Sequence, residues 1–175
     1  MKFEEFWIDI CKIHLFTKHY LLLAEELSEE GELFLQPLKE HRDAYDHVVR
    51  VYAVQNHISE LDNPDVYMQK NMSKALGHEY RAFFDTADWL TLICRERINR
   101  LLQGKSGADI ERKYPAYKDL KRLLLSLPDE IALLRENKDI GKHSTNVLVE
   151  VEQYVKILDT LLSYYKGLST AIEEL

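Results

Sequence analysis

Turn-forming residues are scarce in this chain. Its 175 residues include only 6 Gly and 4 Pro, the two residues that most often break or redirect a backbone. Few break points leave long elements, and long elements with apolar residues at three- and four-residue steps are helices. No stretch shows the sustained apolar–polar alternation of a strand, and neither Asn-Gly nor Asp-Gly occurs to close a hairpin. The pattern predicts an all-α fold: an up-and-down bundle of four main helices plus one or two short ones, forming one domain over residues 1–175.

The apolar steps place the helices. Phe3, Phe6, Ile10, Ile13, Thr17, Tyr20, Ala24 and Leu27 form the core stripe of a first helix. A second set, Trp7, Cys11, Leu15 and Leu22, lies off that stripe, so this helix offers apolar surface on two sides. Pro37 suits the first turn of a second helix reaching to about residue 61, where Asp62-Asn63-Pro64 interrupts it. Its expected core stripe is Leu38, Arg42, Tyr45, Val49 and Tyr52, with an Arg where a Leu would be usual. A third helix over 64–103 ends at Gly104 and carries Glu79 on its apolar stripe. Residues 120–127 and 128–137 read as two short helices or one broken at Pro128. Val147, Val151, Tyr154, Leu158, Leu161, Tyr165, Leu168 and Ile172 give the last helix a regular seam suited to coiled-coil-like packing.

Composition narrows the function classes. The chain is 46% hydrophobic and 30% charged, as a folded domain is, and its formal net charge is −7. Binding to nucleic-acid backbones is driven by neutralising cations, so this acidity argues against broad phosphate contact. Two local basic groups, Arg95, Arg97 and Arg100, and Lys118, Lys121 and Arg122, read as solvated helix faces. Cys11 and Cys94 make no disulfide framework and read as buried thiols of a reducing compartment. The acidic start is unlike a signal peptide, and no apolar run reaches the ~18–20 residues of a membrane span. A cytoplasmic location without membrane contact is expected.

The candidate chemistry lies on the second and third helices. Arg-x-x-x-Asp occurs on each, as Arg42 with Asp46 and Arg81 with Asp85, and histidines accompany both: His41 and His47, then His78. Arg42 and Glu79 both fall on apolar stripes. A buried charge needs a partner, so the two are expected to pair across the antiparallel helices. Asp43 and His47, four residues apart, share a face, where the carboxylate can fix the imidazole's tautomer. The expected network thus comprises His41, Asp43, Asp46, His78, Glu79, Arg81 and Asp85 around Arg42 and His47. The Glu-x-x-His motif of di-iron bundles is absent from the sequence. A mononuclear site from His41 or His47 with His78 and Glu79 is allowed by the spacing but not demanded by it. No metal site and no cofactor is assigned from the sequence.

Arg42-Asp43-Ala44-Tyr45-Asp46-His47 resembles the Arg-polar-x-x-x-His motif of HEPN domains, small all-helical domains of prokaryotic toxin, defence and RNA-processing proteins. The resemblance implies a metal-independent ribonuclease site, usually formed across a homodimer. Arg42 would stabilise phosphate charge and His47 would act as acid or base, with RNA as the partner. A second Arg/His pair, Arg135 and His143, lies later in the chain with seven residues between its members. The residues themselves favour a different first reading: a non-enzymatic bundle that acts by association, as a homodimer, through the two-sided first helix or the seam of the last. The HEPN-like ribonuclease, or an inactive relative of it, is the alternative.

Overall fold

The computed structural model describes residues 3–28, 33–136 and 147–173. Among the described residues six helices follow one another: α1 (Phe3–Leu27), α2 (Leu35–Gln55), α3 (Pro64–Leu102), α4 (Gly107–Lys113), α5 (Tyr117–Arg135) and α6 (Val147–Glu173). The described residues contain no strand, so the fold is an all-α bundle. His143 lies outside the described residues.

The bundle is organised around α3, 39 residues of unbroken helix. Pro64 opens it, where a missing N–H costs nothing, and Gly104 just beyond it takes a positive φ of 74° that a side chain would disfavour. α1, α2 and α6 each pack along it. Phe83, Phe84, Leu90 and Ile98 of α3 are fully buried and meet Ile13 of α1 and Tyr154, Leu158 and Leu161 of α6 in one cluster. The Tyr154 ring stands edge-on to both Phe83 and Phe84, with centroids at 6.1 and 5.4 Å, the orientation that aromatic quadrupoles favour.

Polar bonds fix how the helices sit. Tyr20 of α1 donates to Asp159 of α6 at 2.7 Å, Tyr154 of α6 donates to Asp88 of α3 at 2.8 Å, and Tyr80 of α3 donates to Glu150 of α6. Arg97 Nε donates to the Leu27 carbonyl at 3.0 Å, satisfying one of the free acceptors at the end of α1.

The expected stripe of α1 is buried from Phe6 to Ala24, with Phe3 and Leu27 half-buried at its ends, but Cys11, expected to be a buried thiol, is exposed along with Ile8, Leu15 and Leu22 on the opposite face. The seam of α6 is used inside the chain: Val151, Tyr154, Leu158, Leu161, Leu168 and Ile172 are all buried. α5 runs through Pro128 without a break, because Leu120, Leu127 and Ile131 form one buried stripe that holds the turns on both sides of the proline to the bundle. α2 ends at Gln55, short of the expected residue 61. His57 takes φ 56°, Asn56 Nδ2 donates to the Tyr52 carbonyl and the Ile58 amide to that of Ala53, so the last turn closes on itself.

Candidate functional site

α2 is turned relative to its expected register. Its buried residues are Pro37, Glu40, Ala44, Val51 and Val54, while Leu38, Tyr45, Val49 and Tyr52 are exposed. The helix carries two candidate stripes, and the more polar one faces α3. The reason is on α3: His78, Glu79 and Arg81 give the acid and imidazoles of α2 partners that leucines could not.

Two adjoining clusters result. In the first, Glu40 Oε2 accepts from His78 Nδ1 at 2.8 Å and from Arg81 Nε at 2.9 Å. Burial pushes the Glu40 carboxyl up, but these two hydrogen bonds and the Arg81 charge outweigh it and hold the group below its ordinary value. In the second, Glu79, whose side chain is 6% exposed, faces His41 of α2 and His14 of α1. Adjacent residues on a helix diverge by about 100°. That is why His78 and Glu79 serve different clusters, as do Glu40 and His41.

The expected Arg42–Glu79 pair does not form. The Arg42 side chain is 72% exposed and bonds to its neighbour Asp43, with Nη2 2.7 Å from Oδ1. That bond holds the Asp43 carboxyl below its usual range. With Asp43 so engaged, His47 is not oriented by it. His47 Nδ1 instead donates to Asn71 Oδ1 at 2.8 Å, and Asn71 Nδ2 donates to the Tyr67 carbonyl at 2.9 Å, which fixes which way the amide points. The proton is thereby placed on Nδ1, leaving Nε2 of His47 as an acceptor. Asp46 pairs with Arg50 at 2.6 Å, not with Arg42. Asp85 is half-buried on α3.

Arg42 and His47 do share a place. They line an open cleft of about 620 Å³ together with Asp43, Tyr45, Arg50 and His78. The His47 and His78 rings stack on each other in its lining, with centroids 5.4 Å apart. An exposed guanidinium beside an imidazole of fixed tautomer can bind an anion and exchange a proton. Arg135, by contrast, lies far along the chain against Asp88, 3.2 Å away. The second basic group is paired at the surface, Lys118 and Lys121 with Glu111 and Arg122 with Asp119.

Sequence reasoning missed His14, Glu40 and Asn71. His14 sits on the flank of α1's apolar stripe, and its place beside His41 depends on how α1 crosses α3, which no local pattern encodes. Glu40 next to His41 mirrors His78 next to Glu79, and that reversed dipeptide was the available signal. No helix among the described residues is long and apolar enough to cross a membrane. No protein-family model matches the chain, and searches of curated proteins and of solved structures found no significant similarity.

Proposed function

We propose that this chain works by associating with a second copy of itself through the outer face of α2. The supporting observation is the second apolar stripe that this helix leaves outside. Leu38, Tyr45, Val49 and Tyr52 stand exposed along one stripe, Tyr45 at 69% and Tyr52 at 63%, while Glu40 is buried. A peripheral helix ordinarily keeps its apolar residues on one inner face, and a further exposed apolar stripe of this kind marks an association surface. Tyrosine is well suited to it, with large rigid area and a polar tip. A twofold arrangement would lay the stripe against its own copy. Sedimentation velocity at micromolar concentration tests this: a dimer is expected, and Tyr45→Glu with Tyr52→Glu is expected to give a folded monomer. A wild-type monomer removes the reading. Dissociation by Leu15→Glu with Leu22→Glu, and not by the α2 variant, moves the interface to the outer stripe of α1.

The cleft favours a second reading, a HEPN-like ribonuclease that needs no metal. Arg42 would offset the charge of a bound phosphate, and His47 Nε2 would take a proton from the attacking hydroxyl. Incubation with labelled single-stranded RNA in the presence of chelator tests it. Cleavage lost in both Arg42→Ala and His47→Ala supports the reading, and no cleavage by the wild-type protein at micromolar concentration rejects it.

A further inference from the structure

We infer that His14, His41 and Glu79 form a binding site for one divalent first-row transition-metal ion of zinc's size. The three residues come from three helices, and their ligating atoms all lie within 4.8 Å of one another. The distances have the character of ligand-to-ligand spacings. His14 Nδ1 stands 3.3 Å from both Glu79 oxygens, and His41 Nδ1 stands 3.2 Å from Oε1 and 3.1 Å from Oε2. Two ligands each ~2.0–2.1 Å from a tetrahedral ion are about 3.3 Å apart. Imidazole-to-carboxylate hydrogen bonds are shorter, about 2.7–2.9 Å, and favour one oxygen.

The neighbouring cluster is the internal comparison. There His78 Nδ1 stands 2.8 Å and Arg81 Nε 2.9 Å from one and the same oxygen, with Arg81 Nη2 2.7 Å from that ring nitrogen, so the guanidinium bridges acid and imidazole at ordinary hydrogen-bond distances. Glu79 is as deeply buried, yet its partners are two imidazoles spread evenly across both oxygens. A buried carboxylate needs positive charge close by. Glu40 has the Arg81 guanidinium, and the cluster at Glu79 has the right atoms to take that charge from a cation.

The donor set selects the ion's class. Two imidazole nitrogens and one carboxylate suit zinc and the other late first-row divalent ions, and are too nitrogen-rich for calcium or magnesium. Three protein ligands leave one tetrahedral position open. The His14 side chain is 47% exposed, so that position is reachable by water or a small anion. The bound ion would also join α1 to α2, which pack on α3 from neighbouring sides.

The test uses the full chain, free of histidine tags and stripped with chelator. Calorimetric titration with zinc chloride is expected to give one equivalent per chain, and cobalt(II) is expected to develop visible d–d bands. His14→Ala is the deciding variant, because an almost half-exposed side chain can be removed without unfolding the bundle. It is expected to weaken zinc binding at least about tenfold and to abolish the cobalt bands. His41→Ala should do the same, and His19→Ala, elsewhere on α1, should leave binding unchanged. Zinc should raise the melting temperature of the wild type and not that of His14→Ala. Absence of stoichiometric binding at micromolar zinc overturns the proposal, and so does binding of wild-type strength in both His14→Ala and His41→Ala.

Discussion

Glu40 and Arg81 form an ion pair between α2 and α3, 2.9 Å from Oε2 to Nε, with the acid's side chain only 10% exposed. Removing either partner singly should destabilise the fold. Arg81→Met leaves a buried carboxylate with only His78 and a long, 3.5 Å bond from Gln36 Nε2. Arg81 is itself 36% exposed, so the cost is set at about 1–3 kcal/mol, below that of a fully buried pair. Glu40→Leu should cost a similar amount. The double variant should cost less than the two summed, with a coupling energy near or above ~1 kcal/mol in urea denaturation. Additive effects would mean the pair contributes nothing through its contact. Arg42→Met, on the exposed side of the same helix, should leave the midpoint where it was.

How much of this was readable beforehand differs from helix to helix. α1 and α6 were legible because the longest, most regular apolar stripe of each, in α1 the stripe of Phe6, Ile10, Ile13, Tyr20 and Ala24, is the one the core takes up. α2 was not. Its apolar residues at 38, 45, 49 and 52 outscore its inner face, and the choice between faces is made by His78, Glu79 and Arg81 on another helix. Periodicity describes one helix at a time, and pairing across an interface is a property of two. The same limit explains the site. His41, His47, His78, Glu79 and Arg81 could be read as members of a network, but their partners Glu40, His14 and Asn71 became visible only once three helices were placed together. Pro128 misled for a different reason: its local cost is real, and a buried stripe on both sides of it is enough to keep α5 whole.

The two thiols should differ sharply in reactivity. Cys11 is exposed, whereas Cys94 is buried on α3 and that burial pushes its thiol up to about 12. Only the thiolate is a good nucleophile, and access limits it further. Iodoacetamide at mildly alkaline pH should therefore modify one cysteine per native chain, with Cys11 carrying the label by peptide mass mapping. The second should react on unfolding in urea. Rapid labelling of both in the native protein would show that the α3 core opens far more readily than its packing implies.

Gly167 lies inside α6, where glycine ordinarily costs a helix about 1 kcal/mol relative to alanine. Here the space is taken: a Cβ would stand 2.9 Å from Tyr114 Oη and 3.0 Å from Cε2 of the same ring. Gly167→Ala should thus fail to stabilise the protein, because the tyrosine must move off α6. Gly167→Ala in a Tyr114→Ser background should recover the helix-propensity gain. Thermal melts of the four proteins decide it, and a simple stabilisation by Gly167→Ala alone would contradict the close approach.

The tyrosines that dock α6 should make the fold sensitive to alkali. Tyr20 and Tyr154 are buried, and both phenols are pushed well above their ordinary value: Tyr20 by burial and its hydrogen bond to Asp159, Tyr154 by burial and the charge of Asp88. Each donates a hydrogen bond to a carboxylate, and a phenolate there would face like charge. An unfolded tyrosine ionises near pH 10. Above that pH the unfolded state holds fewer protons at these two positions than the native state does, so stability falls as pH rises, by up to about 1.4 kcal/mol per pH unit for each group. Below about pH 9 neither contributes any slope. Tyr154→Phe should cost roughly 1–3 kcal/mol at neutral pH, because Asp88 loses a donor in a partly buried place. Its stability should then decline less steeply between pH 10 and 11 than that of the wild type. Lysine and cysteine ionisation acts on both proteins alike, so the difference between the two slopes isolates the phenol. Identical slopes in urea denaturation across that range would mean Tyr154 ionises in the native state, and the hydrogen bond from α6 to Asp88 would then not be what seats the last helix.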